Sequence, residues 1–251
     1  MDTISLLSLH AGAPTTGRTF RARLLLGMLV LAGIGLLGGI AQAQQLPERI
    51  IGEQCSSCRP QVQDTADVDE DGALDVVVAS NRDDKIAWYE NDGTGNFAEH
   101  AIQTGVDTES IRTDDVDGDG DTDLVAAIDG SGLVWYENDG SPASGEWTSH
   151  EIENYPESIP RHLQVVDLDG DGDRDVLYLG GTALSWFENQ GDGTFSTEMV
   201  ISDKVSGSPF DAKDLTGNGV PDIATTIDDP DTRAGDKQVV WFENQGDGTF
   251  S

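Results

Sequence analysis

Four times in this chain a run of alternate aspartates leads straight into an apolar, strand-like segment. No other feature constrains the fold as tightly. The copies are Asp67-Val-Asp69-Glu-Asp71-Gly72-Ala73-Leu-Asp75, Asp115-Val-Asp117-Gly-Asp119-Gly120-Asp121-Thr-Asp123, Asp167-Leu-Asp169-Gly-Asp171-Gly172-Asp173-Arg-Asp175 and Asp214-Leu-Thr216-Gly-Asn218-Gly219-Val220-Pro-Asp222. Their first positions lie 48, 52 and 47 residues apart. A unit of that length cannot bury its apolar face alone, so a repeat at this period predicts units stacked on one another.

Each ladder is followed by a short apolar run: Val76–Ala79, Leu124–Ala127, Val176–Leu179 and Ile223–Thr225. A polar turn and a second strand of near-fixed sequence come next: Ile86-Ala-Trp88-Tyr89-Glu90-Asn91, Leu133-Val-Trp135-Tyr136-Glu137-Asn138, Leu184-Ser-Trp186-Phe187-Glu188-Asn189 and Val239-Val-Trp241-Phe242-Glu243-Asn244. Gly-rich turns such as Gln190-Gly191-Asp192-Gly193 then lead to an aromatic (Phe97, Trp147, Phe195 or Phe250), and a further strand lies around Ile102, Ile152 or Val200. Side chains alternate faces along a strand, so Ile86 and Trp88 point one way and Ala87 and Tyr89 the other. Both sets are largely apolar in every copy, which predicts strands covered on both faces. Small sheets of about four strands, stacked face to face, describe an all-β propeller. A β-sandwich is the alternative, but it does not require near-identical units. The recurrent tryptophans offer a platform for stacking sugars, yet one register in every unit places them better in the core between sheets.

The N-terminus is set apart. Arg18, Arg21 and Arg23 precede an apolar run from Leu24 to Ile40, and Ala41-Gln42-Ala43 follows as a small-x-small cleavage site. That order predicts a secretory signal peptide over 1–43 and a repeat region over 44–251, with an uncleaved membrane anchor as the alternative. Export outside the cytoplasm, to the periplasm, the cell surface or the medium, is expected, with no membrane insertion once the signal is removed. Removing 1–43 moves the formal charge from −33 to about −35. A surface so acidic excludes nucleic acid and anionic lipid as partners, because both are held by Lys and Arg. Cys55 and Cys58 are the only cysteines, and in an exported chain their C-x-x-C spacing predicts a local disulfide. No thioredoxin-like pattern surrounds them, and Arg59 stands where haem attachment needs His.

The ladders carry the chemistry. Carboxylates at positions 1, 3 and 5 of a tight loop can turn toward one centre, and glycine at position 6 allows the bend that returns position 9 to it. The backbone carbonyl at position 7, here Ala73, Asp121, Asp173 or Val220, adds a further oxygen. Carboxylates this close repel one another without a cation, and Mg²⁺ prefers a smaller octahedral shell and holds its waters, so Ca²⁺ is the expected ion. Up to four ions are expected, the fourth held most weakly because Thr216 and Asn218 replace two acids. An EF-hand would carry Glu at position 12, where Val78, Ala126, Tyr178 and Thr225 stand, and strands follow here instead of helices.

On these ladders and the Trp-Tyr/Phe-Glu-Asn-x-Gly strands, residues 46–251 resemble the FG-GAP-like (VCBS-type) repeats of secreted bacterial proteins, related to the integrin α-subunit head propeller. The resemblance implies Ca²⁺ ligands at positions 1, 3, 5, 7 and 9, and repeats at about 46–97, 98–147, 148–195 and 196–251. Within 46–251, literal Phe-Gly and Gly-Ala-Pro elements and an Arg-Gly-Asp are not found, a departure from integrin-like ligand binding. Four repeats against a ring of seven predict an incomplete ring, with this chain the first part of a longer array. Two functions follow. One is a non-catalytic extracellular module for adhesion or for protein or carbohydrate binding, offering variable segments such as Gly140–Glu146 and Asp228–Asp236. The other is a polysaccharide lyase or hydrolase on the same scaffold, its site outside the parts seen here. No HExxH, GxSxG or phosphate loop occurs, and His100, His150 and His162 fall in strand-like segments without a shared motif, His162 beside Arg161.

Overall fold

The computed structural model describes residues 50–51, 60–80, 84–155, 160–181, 183–205, 209–228 and 236–251, within a compact unit spanning Glu48–Ser251. The expected signal segment and the Cys55–Cys58 pair lie outside the described residues. Four antiparallel sheets follow in chain order. The first contains β1 (Pro60–Ala66), β2 (Asp75–Ser80), β3 (Lys85–Asn91) and β4 (Phe97–Thr104). The second has β5 (Thr108–Asp114), β6 (Asp123–Ile128), β7 (Gly132–Glu137) and β8 (Thr148–Glu153). β9 (Pro160–Val166), β10 (Asp175–Gly180), β11 (Ala183–Phe187) and β12 (Met199–Ser202) form the third, and β13 (Asp211–Lys213), β14 (Asp222–Asp228) and β15 (Lys237–Phe242) the fourth. Within each sheet every strand pairs with the next in sequence, and the first strands of successive sheets lie side by side. This is a β-propeller whose sheets do not close into a ring among the described residues. No described helix is long and apolar enough to cross a membrane.

Each ladder sits between the first and second strands of its sheet. The repeat boundaries expected at 97, 147 and 195 cut before the outermost strand, which belongs with the strands preceding it: the sheets run 60–104, 108–153 and 160–202. The first strand of each sheet, such as Thr108–Asp114, has no signal in the sequence, because its mixed polar composition shows neither alternation nor an apolar run. It is held at its flanks instead. Asp64 Oδ2 accepts from the Thr113 backbone N–H at 3.0 Å, and Gln164 Oε1 accepts from that of Ala212 at 2.9 Å, each tying one first strand to the next.

The two-faced strands expected from the sequence pack as expected. Val77, Ala79, Ile86 and Trp88 of the first sheet meet Ile111, Leu124, Ala126 and Tyr136 of the second. Val125, Ala127, Leu133 and Trp135 meet Leu163, Val176, Tyr178 and Phe187, and Leu177, Leu179, Leu184 and Trp186 meet Val205, Phe210 and Ile223. So the tryptophan of one sheet is covered by the next. Burying ~200 Å² of indole at ~25 cal/mol per Å² contributes up to about 5 kcal/mol per junction. The Gly-rich turn completes that cover. A Cβ on Gly193 would come within 2.4 Å of Trp135 Cζ2, and one on Gly248 within 2.7 Å of Trp186 Cζ2, so these turns need glycine for close approach as well as for their positive φ.

A second contact repeats with the same phase. Asn189 donates from Nδ2 to the Val116 carbonyl of the preceding sheet at 2.6 Å and to its own sheet's Arg174 carbonyl at 3.0 Å. Asn244 does the same to Leu168 at 2.6 Å and Pro221 at 3.0 Å, and Asn138 to Val68 at 3.1 Å and Thr122 at 3.2 Å. Each Oδ1 accepts from a glycine N–H two residues on. Every polar group of these buried side chains is therefore engaged. In the first sheet, among the described residues, the Asn91 amide reaches Leu74 of its own sheet and remains half-exposed. Because truncation strands buried carbonyls, Asn189→Ala is expected to cost about 2–3 kcal/mol and Asn91→Ala about 1 kcal/mol. Urea unfolding of the two variants measures the difference.

Candidate metal centres

The loops form because their backbone turns twice through the left-handed region. Position 6 is Gly72, Gly120, Gly172 or Gly219, with φ between 93° and 103°, as the sequence predicts. Position 4 turns the same way: Gly118, Gly170 and Gly217 have φ of 77°, 82° and 80°. In the first loop Glu70 occupies that place with φ 59°, a conformation strained for a residue with a Cβ.

The carboxylates are held by the loop's own N–H groups. Position 1 accepts from the position-6 glycine: Asp67 from Gly72 at 3.0 Å, Asp115 from Gly120 at 3.2 Å, Asp167 from Gly172 at 3.1 Å and Asp214 from Gly219 at 3.0 Å. Asp69, Asp117 and Asp169 accept from position 5, while Asp71, Asp119 and Asp171 accept from Ala73, Asp121 and Asp173 at position 7. Position 9 is buried in every copy. Asp123 accepts from Val116 N–H at 2.9 Å and Asn138 N–H at 2.8 Å, and Asp175 from Leu168 at 2.7 Å and Asn189 at 2.9 Å. Asp75 and Asp222 make the corresponding bonds. Each carboxylate keeps lone pairs beyond these bonds.

Those remaining oxygens converge. Asp67, Asp69 and Asp71 bring one ligand atom each within 4.8 Å of the others, as do Asp115, Asp117 and Asp123, and Asp167, Asp169 and Asp175. Two oxygens on opposite sides of an ion at ~2.4 Å lie ~4.8 Å apart, so each group has the span of one hard cation. The residues fit such an ion on a further count: Asp67 Oδ1 is shielded from solvent with no hydrogen-bond partner. The electrostatics agree. Burial, against the opposing N–H bonds and with help from neighbouring acids, pushes Asp123 and Asp175 up to about 7. Burial also raises Asp75, and Asp69, Asp117 and Asp169 at position 3, where adjacent carboxylates add to it. Ionised carboxylates thus stand in unfavourable surroundings that a cation would relieve. Alanine at 73 and valine at 220 offer only their backbone there.

The fourth loop keeps the fold without the charge. Asp214, Thr216, Asn218 and Asp222 include only two acids, and Asn218 bridges the loop by donating to the Asn244 carbonyl at 3.0 Å and accepting from Val220 N–H at 3.1 Å. Burial alone would raise Asp222, but N–H groups of Asn244, Leu215 and Thr216 outweigh it and lower its pKa. This carboxylate is comfortable ionised without an ion beside it.

The histidines correct the sequence reading. His100 and His150 occupy one position in two sheets, opposite the tryptophan: His100 stacks on Trp88 at 4.7 Å and bonds Glu90 at 2.7 Å, and His150 stacks on Trp135 at 4.3 Å and bonds Glu137 at 2.7 Å. Their shared signal is an aromatic three residues before and an isoleucine two after, Phe97/Ile102 and Trp147/Ile152. Met199 faces Trp186 in the third sheet. His162 meets the Phe210 ring edge-on and bonds its carbonyl at 3.1 Å; burial lowers its pKa, so it packs as a neutral link to the fourth sheet, while Arg161 is exposed. Of the variable segments, Gly140–Glu146 includes an exposed turn around a buried Pro142, and 229–235 lies outside the described residues.

Comparison with known proteins matches this organisation. A model of the FG-GAP-like repeat fits residues 67–126, 115–178 and 167–225, each span running from one ladder through the next. No curated protein matches. Among solved structures, a lectin from Agrocybe aegerita that specifically recognises non-reducing terminal N-acetylglucosamine superposes with a TM-score of 0.54 at 23% identity, covering 74% of this chain and 49% of the lectin. The chain spans about half that lectin's length, and the likeness is one of fold.

Position 4 supplies a test of the loop geometry. Glu70→Gly is expected to stabilise by up to about 1 kcal/mol, and Gly118→Glu to destabilise by about 1–2 kcal/mol, because only the first relieves a left-handed residue bearing a Cβ. Chemical denaturation in chelator reads both signs.

Proposed function

The chain belongs to the FG-GAP-like repeat family, and from that premise we propose that it is an exported, calcium-stabilised propeller that binds a ligand without transforming it. The observation that carries the proposal is the convergence of three oxygen-only aspartate groups at one place in successive sheets. Ca²⁺ takes six to eight oxygens at about 2.3–2.6 Å in a flexible shell, which suits loops that mix carboxylates with a backbone carbonyl. Asp67, Asp69, Asp71, Ala73 and Asp75 would hold the first ion. Asp115, Asp117, Asp119, Asp121 and Asp123 would hold the second, and Asp167, Asp169, Asp171, Asp173 and Asp175 the third. Asp214, Thr216, Asn218, Val220 and Asp222 form the weakest site. The ion supplies charge compensation and loop order, so its role is structural.

Export rests on the signal-like order of residues 1–43, and the acidic surface suits a calcium-rich medium. For the ligand, an extracellular glycan is favoured over a protein because the similar lectin recognises terminal N-acetylglucosamine. Loops joining the strands at the sheet ends supply the variable surface.

Two measurements test this. Chelation is expected to lower the melting temperature and millimolar Ca²⁺ to restore it; an ion at ~100 times its dissociation constant stabilises by ~2.7 kcal/mol. Calorimetric titration should resolve three tighter sites and one weaker, whereas a melt indifferent to chelator would remove calcium from the proposal. On a glycan array with N-acetylglucosamine-terminated ligands, retention supports the binding role, and turnover of any polysaccharide would replace it with catalysis.

A further inference from the structure

The clasp asparagines join more than the sheets, because each one also links two aspartate ladders. Between the second and third sheets the path is short. The Val116 N–H donates to Asp123 Oδ2 at 2.9 Å, and the carbonyl of the same residue accepts from Asn189 Nδ2 at 2.6 Å. The Asn189 backbone N–H then donates to Asp175 Oδ1 at 2.9 Å. Position 9 of one ladder thus lies three hydrogen bonds from position 9 of the next. The same path runs from Asp75 through Val68 and Asn138 to Asp123, and from Asp175 through Leu168 and Asn244 to Asp222.

Packing follows the same route. A Cβ on Gly191 would fall 2.5 Å from Asp173 Oδ2, and one on Gly118 would fall 3.7 Å from the Gly191 carbonyl oxygen. The Gly-rich turn of the third sheet is therefore wedged between position 4 of the second ladder and position 7 of the third. Position 8 reaches back as well. Thr122 Oγ1 donates to the Asp67 carbonyl at 3.2 Å, and Arg174 Nε donates at 3.1 Å to Asp114, the residue before the second ladder. A ladder that changes shape displaces atoms on which its neighbour is built.

We propose that the clasps couple the ladders, so that an ion held in one raises the affinity of the next, with Asn138 linking the first and second loops and Asn189 the second and third. The proposal rests on the calcium reading of the ladders and adds a dependence between them. An ion that orders the second ladder fixes the Val116 carbonyl, so Asn189 finds its acceptor in place and keeps its backbone N–H on Asp175. The third loop then has less left to order when its own ion arrives, which is positive coupling carried by conformational entropy. Charge acts the other way, since an ion in one loop weakens the field that attracts the next.

Amide NMR of the full chain, produced in an exporting host and titrated with calcium, tests it. The position-6 glycines read the loops separately, because Gly72, Gly120 and Gly172 each donate to the first aspartate of their own ladder. Asp117→Ala combined with Asp119→Ala disables the second loop. These changes remove two negative charges, as many as one Ca²⁺ neutralises, so the field at the third loop matches that of a loaded neighbour and only its order differs. Alanine is chosen because asparagine at position 5 would close the loop as Asn218 does. The disabled loop is expected to raise the calcium midpoints of Gly172 and Gly72 at least about fivefold, the lower end of couplings between sites. With Asn189→Ala added, the Gly172 midpoint should move less than about twofold while Gly72 still responds in full, as loss of one pairwise link requires. Asn138→Ala should reverse that pattern, and a purely structural role for the asparagines would not sort the two loops in this way. Equal midpoints with and without the second loop's acids, in chains that keep both clasps, overturn the coupling. So does a Gly172 shift that Asn189→Ala leaves intact. If no position-6 glycine responds to calcium, the calcium reading itself falls and the coupling with it.

Discussion

The buried carboxylate at position 9 is the fixed point of every sheet. Asp123 takes one hydrogen bond from the start of its own ladder and another from Asn138, at the far end of the sheet's third strand. With those two bonds it closes the loop, sets the asparagine and thereby aims the amide at the sheet before. Remove it and three things lose their reference together: the ladder, the Gly-rich turn and the junction. Its burial also makes its charge unfavourable, which is why the other acids of the loop and a cation belong beside it rather than elsewhere on the surface.

The fourth copy separates what the loop needs in order to fold from what it needs in order to bind. There Asn218 replaces a carboxylate with an amide that donates and accepts within the loop, and the backbone keeps both left-handed turns. Shape is therefore specified by glycines and by aspartates 1 and 9. The acids at positions 3 and 5 add charge to a loop that is already shaped. Such a division lets the copies diverge in ion affinity without losing their place in the architecture.

Much of this was legible in the sequence. The ladder spacing, the glycine at position 6 and the two-faced Trp-Tyr/Phe strands point to stacked sheets, and Trp88, Trp135 and Trp186 are core as expected. The first strand of each sheet was not legible, because a segment such as Thr108–Asp114 is held by neighbouring strands rather than by its own apolar pattern. The asparagine that follows Glu90, Glu137, Glu188 and Glu243 is visible as a constant, but its bond crosses some 70 residues and only the fold reveals its acceptor. The histidines were missed for a similar reason. His100 and His150 become equivalent only when pairing sets each opposite a tryptophan. The ladders declared themselves because their chemistry is local, whereas the junctions are long-range.

The asparagine clasp has a consequence for how such an array changes over generations. Donor and acceptor sit at fixed places within one repeat, yet every clasp joins two repeats. Duplicating or deleting a whole unit therefore leaves each remaining clasp complete, since any unit's amide finds the position-2 carbonyl of whichever unit precedes it. A deletion of half a unit would break one. The number of sheets is thus free to drift while their phase is not, and the molecule lengthens or shortens in one quantum.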